Sequence, residues 1–173
     1  MAVKKTIAII ASEEEVALAI AHKLAQGNYR ILLVSKEKNL LDQQLSDLKK
    51  NVPNADVELL DCMKDGCWEA DIIILSIQPE SENVVAELIK QVATQKIVVS
   101  FSNQEKNIDG QVERLKNLLP HSKVVMAFNT LKSLKIFIES DDNESVQTVA
   151  KILETAGYHP SILNGKSSAI KTL

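Results

Sequence analysis

Ser12, Glu13, Glu14 and Glu15 follow the apolar run Ile7–Ile10 and open a helical pattern that closes at Gly27. In a strand–turn–helix unit, backbone N–H groups at the start of the helix can hold a phosphate or another anion, and glycines in the turn let it approach closely. This turn contains no glycine. Instead Ser12 and Glu15 stand at Ser-x-x-Glu spacing, which predicts a capping box: the Ser12 hydroxyl accepts from the Glu15 N–H, and the Glu15 carboxylate reaches back. Glu13 and Glu14 place negative charge where the helix dipole favours it, worth roughly 0.3–1 kcal/mol each when exposed. The expectation is a helix start occupied by the protein's own carboxylates. The competing expectation is an acidic turn that swings aside or takes a cation-bridged phosphate.

Other chemistry-bearing residues are sparse. Cys62 and Cys67 lack the further cysteines or nearby histidines that a zinc set requires, so two reduced thiols near a strand end are expected and no metal site. His22, His121 and His159 share no motif with a carboxylate. Ser100 and Ser102 have no base adjacent in sequence and no Gly-x-Ser-x-Gly elbow, which argues against hydrolase chemistry, and no catalytic residue is assigned. Trp68 is expected to pack against the sheet edge. A net charge of −3 with scattered lysines argues against nucleic acid as a partner. No apolar run approaches the ~18 residues of a membrane helix, and the N-terminus lacks a signal pattern, so a cytoplasmic location is expected.

These residues must be positioned by an alternation of short apolar runs and helical stripes that spans the chain. Strands are predicted at Thr6–Ile10, Arg30–Ser35, Val57–Cys62, Asp71–Ile77, Lys96–Ser102, Lys123–Asn129, Lys135–Glu139 and Ser161–Asn164. Helical core faces are predicted from Val16, Ile20 and Leu24; from Leu41, Leu45 and Leu48; and from Val84, Val85, Leu88, Ile89 and Val92. A shorter stripe is formed by Val112, Leu115, Leu118 and Leu119, and a last long one by Val146, Val149, Ile152 and Leu153. Thr130–Leu134 is too short for a parallel crossover, so the strands it joins should run antiparallel. Gly27 and Gly157 are expected as left-handed helix caps, and Gly66, Gly110 and Gly165 in loops. The sum is an α/β fold in one domain, residues 1–173: a doubly wound, mostly parallel, Rossmann-like sheet with helices on both faces and one late antiparallel strand.

On "IAII" with a helix ending "KLAQG", "EADIIILSIQP", "KVVMAFNT" and "KIFIESDDNESVQTVAKILETAGYHP", the chain resembles the coenzyme F420-dependent NADP oxidoreductases. The resemblance implies a fold built around NADP, with nicotinamide and deazaflavin rings apposed at the C-terminal ends of the strands. It sets Ser12, Glu14 and Ala17 where the family has glycines. It also implies that Ser35, Lys36 and Lys38 face the 2′-phosphate, that Ile77, Gln78 and Pro79 border the nicotinamide, and that Asn103 and Asn129 stand at the fifth and sixth strand exits. Relative to that pattern, the stretch between "AFNT" and "KIFIESD" is short and closing helices after "SSAIKTL" are missing.

Two functions follow as expectations. One is a degenerate relative with weakened or lost dinucleotide binding and catalysis, acting as a binding protein. The other is an NADP(H)-dependent oxidoreductase with an unconventional phosphate site that includes Lys36 and Lys38. Exposed apolar surface on a small open sheet leads to an expectation of self-association as a dimer.

Overall fold

The computed structural model describes residues 3–35, 38–102, 108–129 and 134–163. The elements run β1 (Lys5–Ala11), α1 (Glu14–Leu24), β2 (Tyr29–Val34), α2 (Lys38–Asn51), β3 (Asp56–Leu60), α3 (Met63–Glu69), β4 (Ile72–Ser76), α4 (Pro79–Ile89), β5 (Ile97–Ser102), α5 (Ile108–Leu118), β6 (Lys123–Asn129), β7 (Lys135–Glu139), α6 (Asn143–Thr155) and β8 (His159–Ile162). The strands form one sheet in the order β3-β2-β1-β4-β5-β6-β7-β8. The chain works outward from β1 to β3 and then returns to β4 on the other side of β1. That reversal is the switch point where sheets of this kind open a crevice. The pairs from β3 to β6 are parallel, β6 and β7 are antiparallel with Asn129 opposite Ile136, and β8 runs parallel to β7. The short Thr130–Leu134 link dictates that antiparallel pair.

Side-chain alternation along each strand splits the core into two layers. Ile7, Ile9, Ile31, Leu33, Ile72, Ile74, Val99 and Phe101 face α1, α2 and α6. Ala8, Ile10, Leu32, Ile73, Leu75 and Val98 face α3, α4 and α5. By the same alternation Ser100 belongs with Val98 in the second layer, and it is buried there.

Several sequence expectations are corrected. Helix α3 was missed because seven residues with Gly66 among them carry no amphipathic stripe, and Gly66 and Gly110 lie in helices rather than loops. Gly157 has the expected left-handed backbone, φ 80°. Gly27 serves instead as a close approach: a Cβ there would meet Thr155 Cγ2 at 2.7 Å and the Tyr29 ring at 2.8 Å. Trp68 does not pack against the sheet edge and is 70% exposed on α3. In α4, Val84 and Leu88 are exposed at 64% and 46%, while Glu82, Val85, Ala86 and Ile89 are buried. The helix is therefore turned away from its most apolar side. The last strand begins two residues earlier than expected because the His159 N–H already bonds the Leu134 carbonyl, at 2.8 Å. Gly165 and Asn164 lie outside the described residues.

Candidate functional site

The C-terminal ends of β1 and β4 meet at the switch point. There the Ser12 N–H donates to the Ser76 carbonyl at 3.0 Å, carrying the β1–β4 ladder one residue beyond Ala11. The Ser12 hydroxyl accepts from the Gln78 N–H at 3.1 Å. Gln78 is the N-cap of α4 and Pro79 its first residue. A proline suits that place because its missing N–H has no helical acceptor to lose. The turn after β1 is thus clasped to the turn after β4 by a side-chain bond across the crevice.

The capping box does not form. Helix α1 begins one residue later than expected, with Glu13 as its N-cap and no side-chain cap bond. The Val16 and Ala17 N–H groups both reach the Glu13 carbonyl, at 3.1 and 3.2 Å. With its N–H on the Ser76 carbonyl and its hydroxyl bonded to the Gln78 N–H, Ser12 is tied to the exit of β4. The acidic charge of the turn stays, and Glu13 is exposed.

The residues expected around a cofactor divide into three groups. Ser12, Gln78 and Pro79 are brought together at the switch point. Ser35 follows β2 and gives its N–H to the Leu60 carbonyl at 2.9 Å, while Ile77 packs partly buried on the second core layer. Asn129 ends β6, 8% exposed, beside a stacked Phe128–Phe137 pair with centroids 5.3 Å apart. Lys36 and Asn103 lie outside the described residues, as does the side chain of Lys38. A diphosphate needs close backbone approach and free donors at the first turn. A hydroxymethyl group bonded across the crevice and an exposed carboxylate beside it do not fit that group.

Sequence reading gave Ser100 no partner base, and the fold supplies one. The Ser100 hydroxyl donates to Glu82 Oε1 at 2.9 Å, Gln111 Nε2 donates to the same oxygen at 2.8 Å, and Arg114 donates to Oε2 at 2.6 Å. Glu82 is 1% exposed and Ser100 2%. Three donors already engage this carboxylate, and the hydroxyl it faces is closed to solvent, so the pair is not an activated nucleophile. The signal in the sequence was spacing: Glu82, Val85, Ala86 and Ile89 fall on one helical face.

The thiols are free, with Cys62 half-buried and Cys67 buried. Burial pushes the Cys67 thiol up to about 12, against the pull of nearby Lys96. The Lys96 ammonium is held below its ordinary range by burial, opposed by Cys67 and Asp71. It donates to the Cys67 carbonyl at 2.6 Å and to that of Trp68 at the end of α3. Among the described residues no group of three His, Cys, Asp or Glu side chains is placed to hold a metal, and no helix is long and apolar enough to cross a membrane.

Residues 6–104 match the family model described as NADP oxidoreductase, coenzyme F420-dependent. A protein of Arthrobacter sp. FB24 named as a candidate F420-dependent NADP reductase superposes with TM-score 0.72 at 18% identity, over 92% of this chain and 84% of that one. The pyrroline-5-carboxylate reductase of Coxiella burnetii gives 0.68 at 18% identity, over 95% of this chain and 60% of that one. The Plasmodium falciparum pyrroline carboxylate reductase, with NADP bound, gives 0.67 at 14%, over 95% and 59%. The chain thus spans about three fifths of the length of these two reductases. At such identities the likeness shows the fold alone. No curated protein matches.

Proposed function

From the premise that this chain belongs to the coenzyme F420-dependent NADP oxidoreductase family, we propose that it is a member whose dinucleotide binding and hydride-transfer activity are weakened or lost, and which acts by binding. The observation that carries this reading is the clasp between the Ser12 hydroxyl and the Gln78 N–H across the crevice. Two effects act in the same direction there: the serine side chain takes space a glycine would leave, and the acidic turn repels a diphosphate. Calorimetric titration with NADP, NADPH, NAD and NADH tests it. No binding at micromolar concentration is expected, and replacing Ser12, Glu14 and Ala17 with glycine should create or strengthen binding. Micromolar affinity of the natural chain for any of the four would overturn the reading.

One observation favours a second reading, an NADP(H)-dependent oxidoreductase with an unconventional phosphate site. Because Ser12 does not cap α1, the leading N–H groups of that helix are not taken by its hydroxyl. Under this reading NADP is the cofactor and Lys36 and Lys38 supply point charges for the 2′-phosphate. It expects a preference for NADP over NAD that fades when both lysines become alanine, and equal affinity for the two would remove its basis. We place the protein in the cytoplasm as a dimer, to which exposed Trp68 and Val84 lend support. Sedimentation equilibrium at the mass of a single 19.1 kDa chain would count against the dimer.

A further inference from the structure

We infer that Glu82 is a positioning residue that fixes the rotation of α4 and thereby holds the Gln78 N–H against Ser12, keeping the crevice clasped. The inference rests on the reading of that crevice as closed to a diphosphate. Gln78 and Glu82 lie four residues apart, one helical turn, at the start of α4. The Gln78 carbonyl accepts from the Ser81 N–H at 2.9 Å, so the N-cap moves with the helix.

Apolar packing alone does not choose the rotation observed. Turning α4 by about one residue, roughly 100°, would carry Val84 and Leu88 inward and Glu82 toward water. The helix instead leaves both apolar side chains exposed and buries a carboxylate. What holds it there is the convergence of Ser100 from β5 with Gln111 and Arg114 from α5 on the two Glu82 oxygens. A charge-assisted network is lost steeply on displacement, whereas hydrophobic contact is nearly indifferent to direction. The same rotation would swing the Gln78 N–H off the Ser12 hydroxyl. Four contacts thus join the first turn to β5 and α5 through one helical turn of α4.

Amide hydrogen exchange by NMR on Glu82→Gln tests this in the full chain, with Arg114→Met as a second variant at a more exposed position. The Ser145 N–H, bonded to Asp142 at the start of α6, is the reference because its partner is none of Glu82, Ser100, Gln111 and Arg114. The Gln78 amide should exchange at least fivefold faster in the variants than in the natural chain, with Ser145 unchanged. Unchanged exchange at Gln78 would overturn the inference, and so would parallel acceleration of both amides, the mark of a purely structural role. Nucleotide titration of the natural chain is a separate measurement. Tight NADPH binding there would remove the reading of the crevice and leave the exchange result to decide the role of Glu82.

Discussion

Arg114→Met should destabilise the protein more than Glu82→Met, although the two substitutions break the same ion pair. Arg114 is 40% exposed and Glu82 1%. Removing the arginine leaves a carboxylate sealed from water with two neutral donors, Ser100 and Gln111. Stranding one member of a fully buried pair costs about 3–5 kcal/mol. Because the arginine side is part-solvated and screened, we expect about 2–3 kcal/mol here. Glu82→Met instead places an apolar side chain among Val85, Ala86 and Ile89 and frees Arg114 to turn to solvent. Its main loss is the acceptor for the Ser100 hydroxyl, about 1–2 kcal/mol. With a urea slope of roughly 2 kcal/mol per molar, the unfolding midpoint should fall by about 1–1.5 M in Arg114→Met and by about half that in Glu82→Met. A shift below roughly 0.3 M in Arg114→Met, or the reverse order of the two variants, would refute the reasoning.

Asp142 caps α6, accepting from the Ser145 N–H at 3.0 Å and from the Ser145 hydroxyl. The Ser145 hydroxyl foremost, with the Ser145 N–H and the nearby Lys123 ammonium, holds its carboxyl below the ordinary range against the opposing effect of burial. A lowered folded-state pKa means the contribution is present above the unfolded value and lost as pH falls through the folded one. Asp142→Ala should therefore cost about 1 kcal/mol at neutral pH, and its urea midpoint should converge on that of the natural chain in strong acid. A gap that persists there would contradict the assignment. With its thiol pushed up to about 12 by burial, Cys67 should resist alkylation at mildly alkaline pH while Cys62 reacts, as peptide mass mapping would show. The same shift stabilises the fold below the ordinary thiol range and loses that effect as pH rises toward the folded value. Labelling of Cys67 in the native protein at the rate of an unfolded thiol would contradict it.

The sheet was legible because its strands are buried on both faces and read as continuous apolar runs between helical stripes. The five-residue link before Lys135 sufficed to predict the antiparallel pair, since chain length alone forbids a crossover there. The candidate site was legible only as a location, the strand exits. Ser12, Gln78 and Pro79 converge at the switch point. The capping box failed because the Ser12 N–H is engaged by the Ser76 carbonyl and α1 starts one residue later, with Glu13 as N-cap, set by contacts distant in sequence that local spacing cannot see. Glu82 stayed hidden for a related reason. Period counting treats a glutamate as outward-facing, and nothing local reveals that Ser100, Gln111 and Arg114 will meet it across three elements.

The clasp also bears on why the first turn can lack glycine at all. A glycine there permits a close ligand but offers no side chain, so it would keep the backbone bond to the Ser76 carbonyl and lose the one to Gln78. With serine at position 12, the β1–β4 ladder runs on through the Ser12 N–H to the Ser76 carbonyl, and the hydroxyl of the same residue reaches the N-cap of α4. On the proposed reading, the serine side chain that takes up space in the crevice also supplies the bond across it. Ser12→Gly alone should therefore loosen both turns before it gains any ligand.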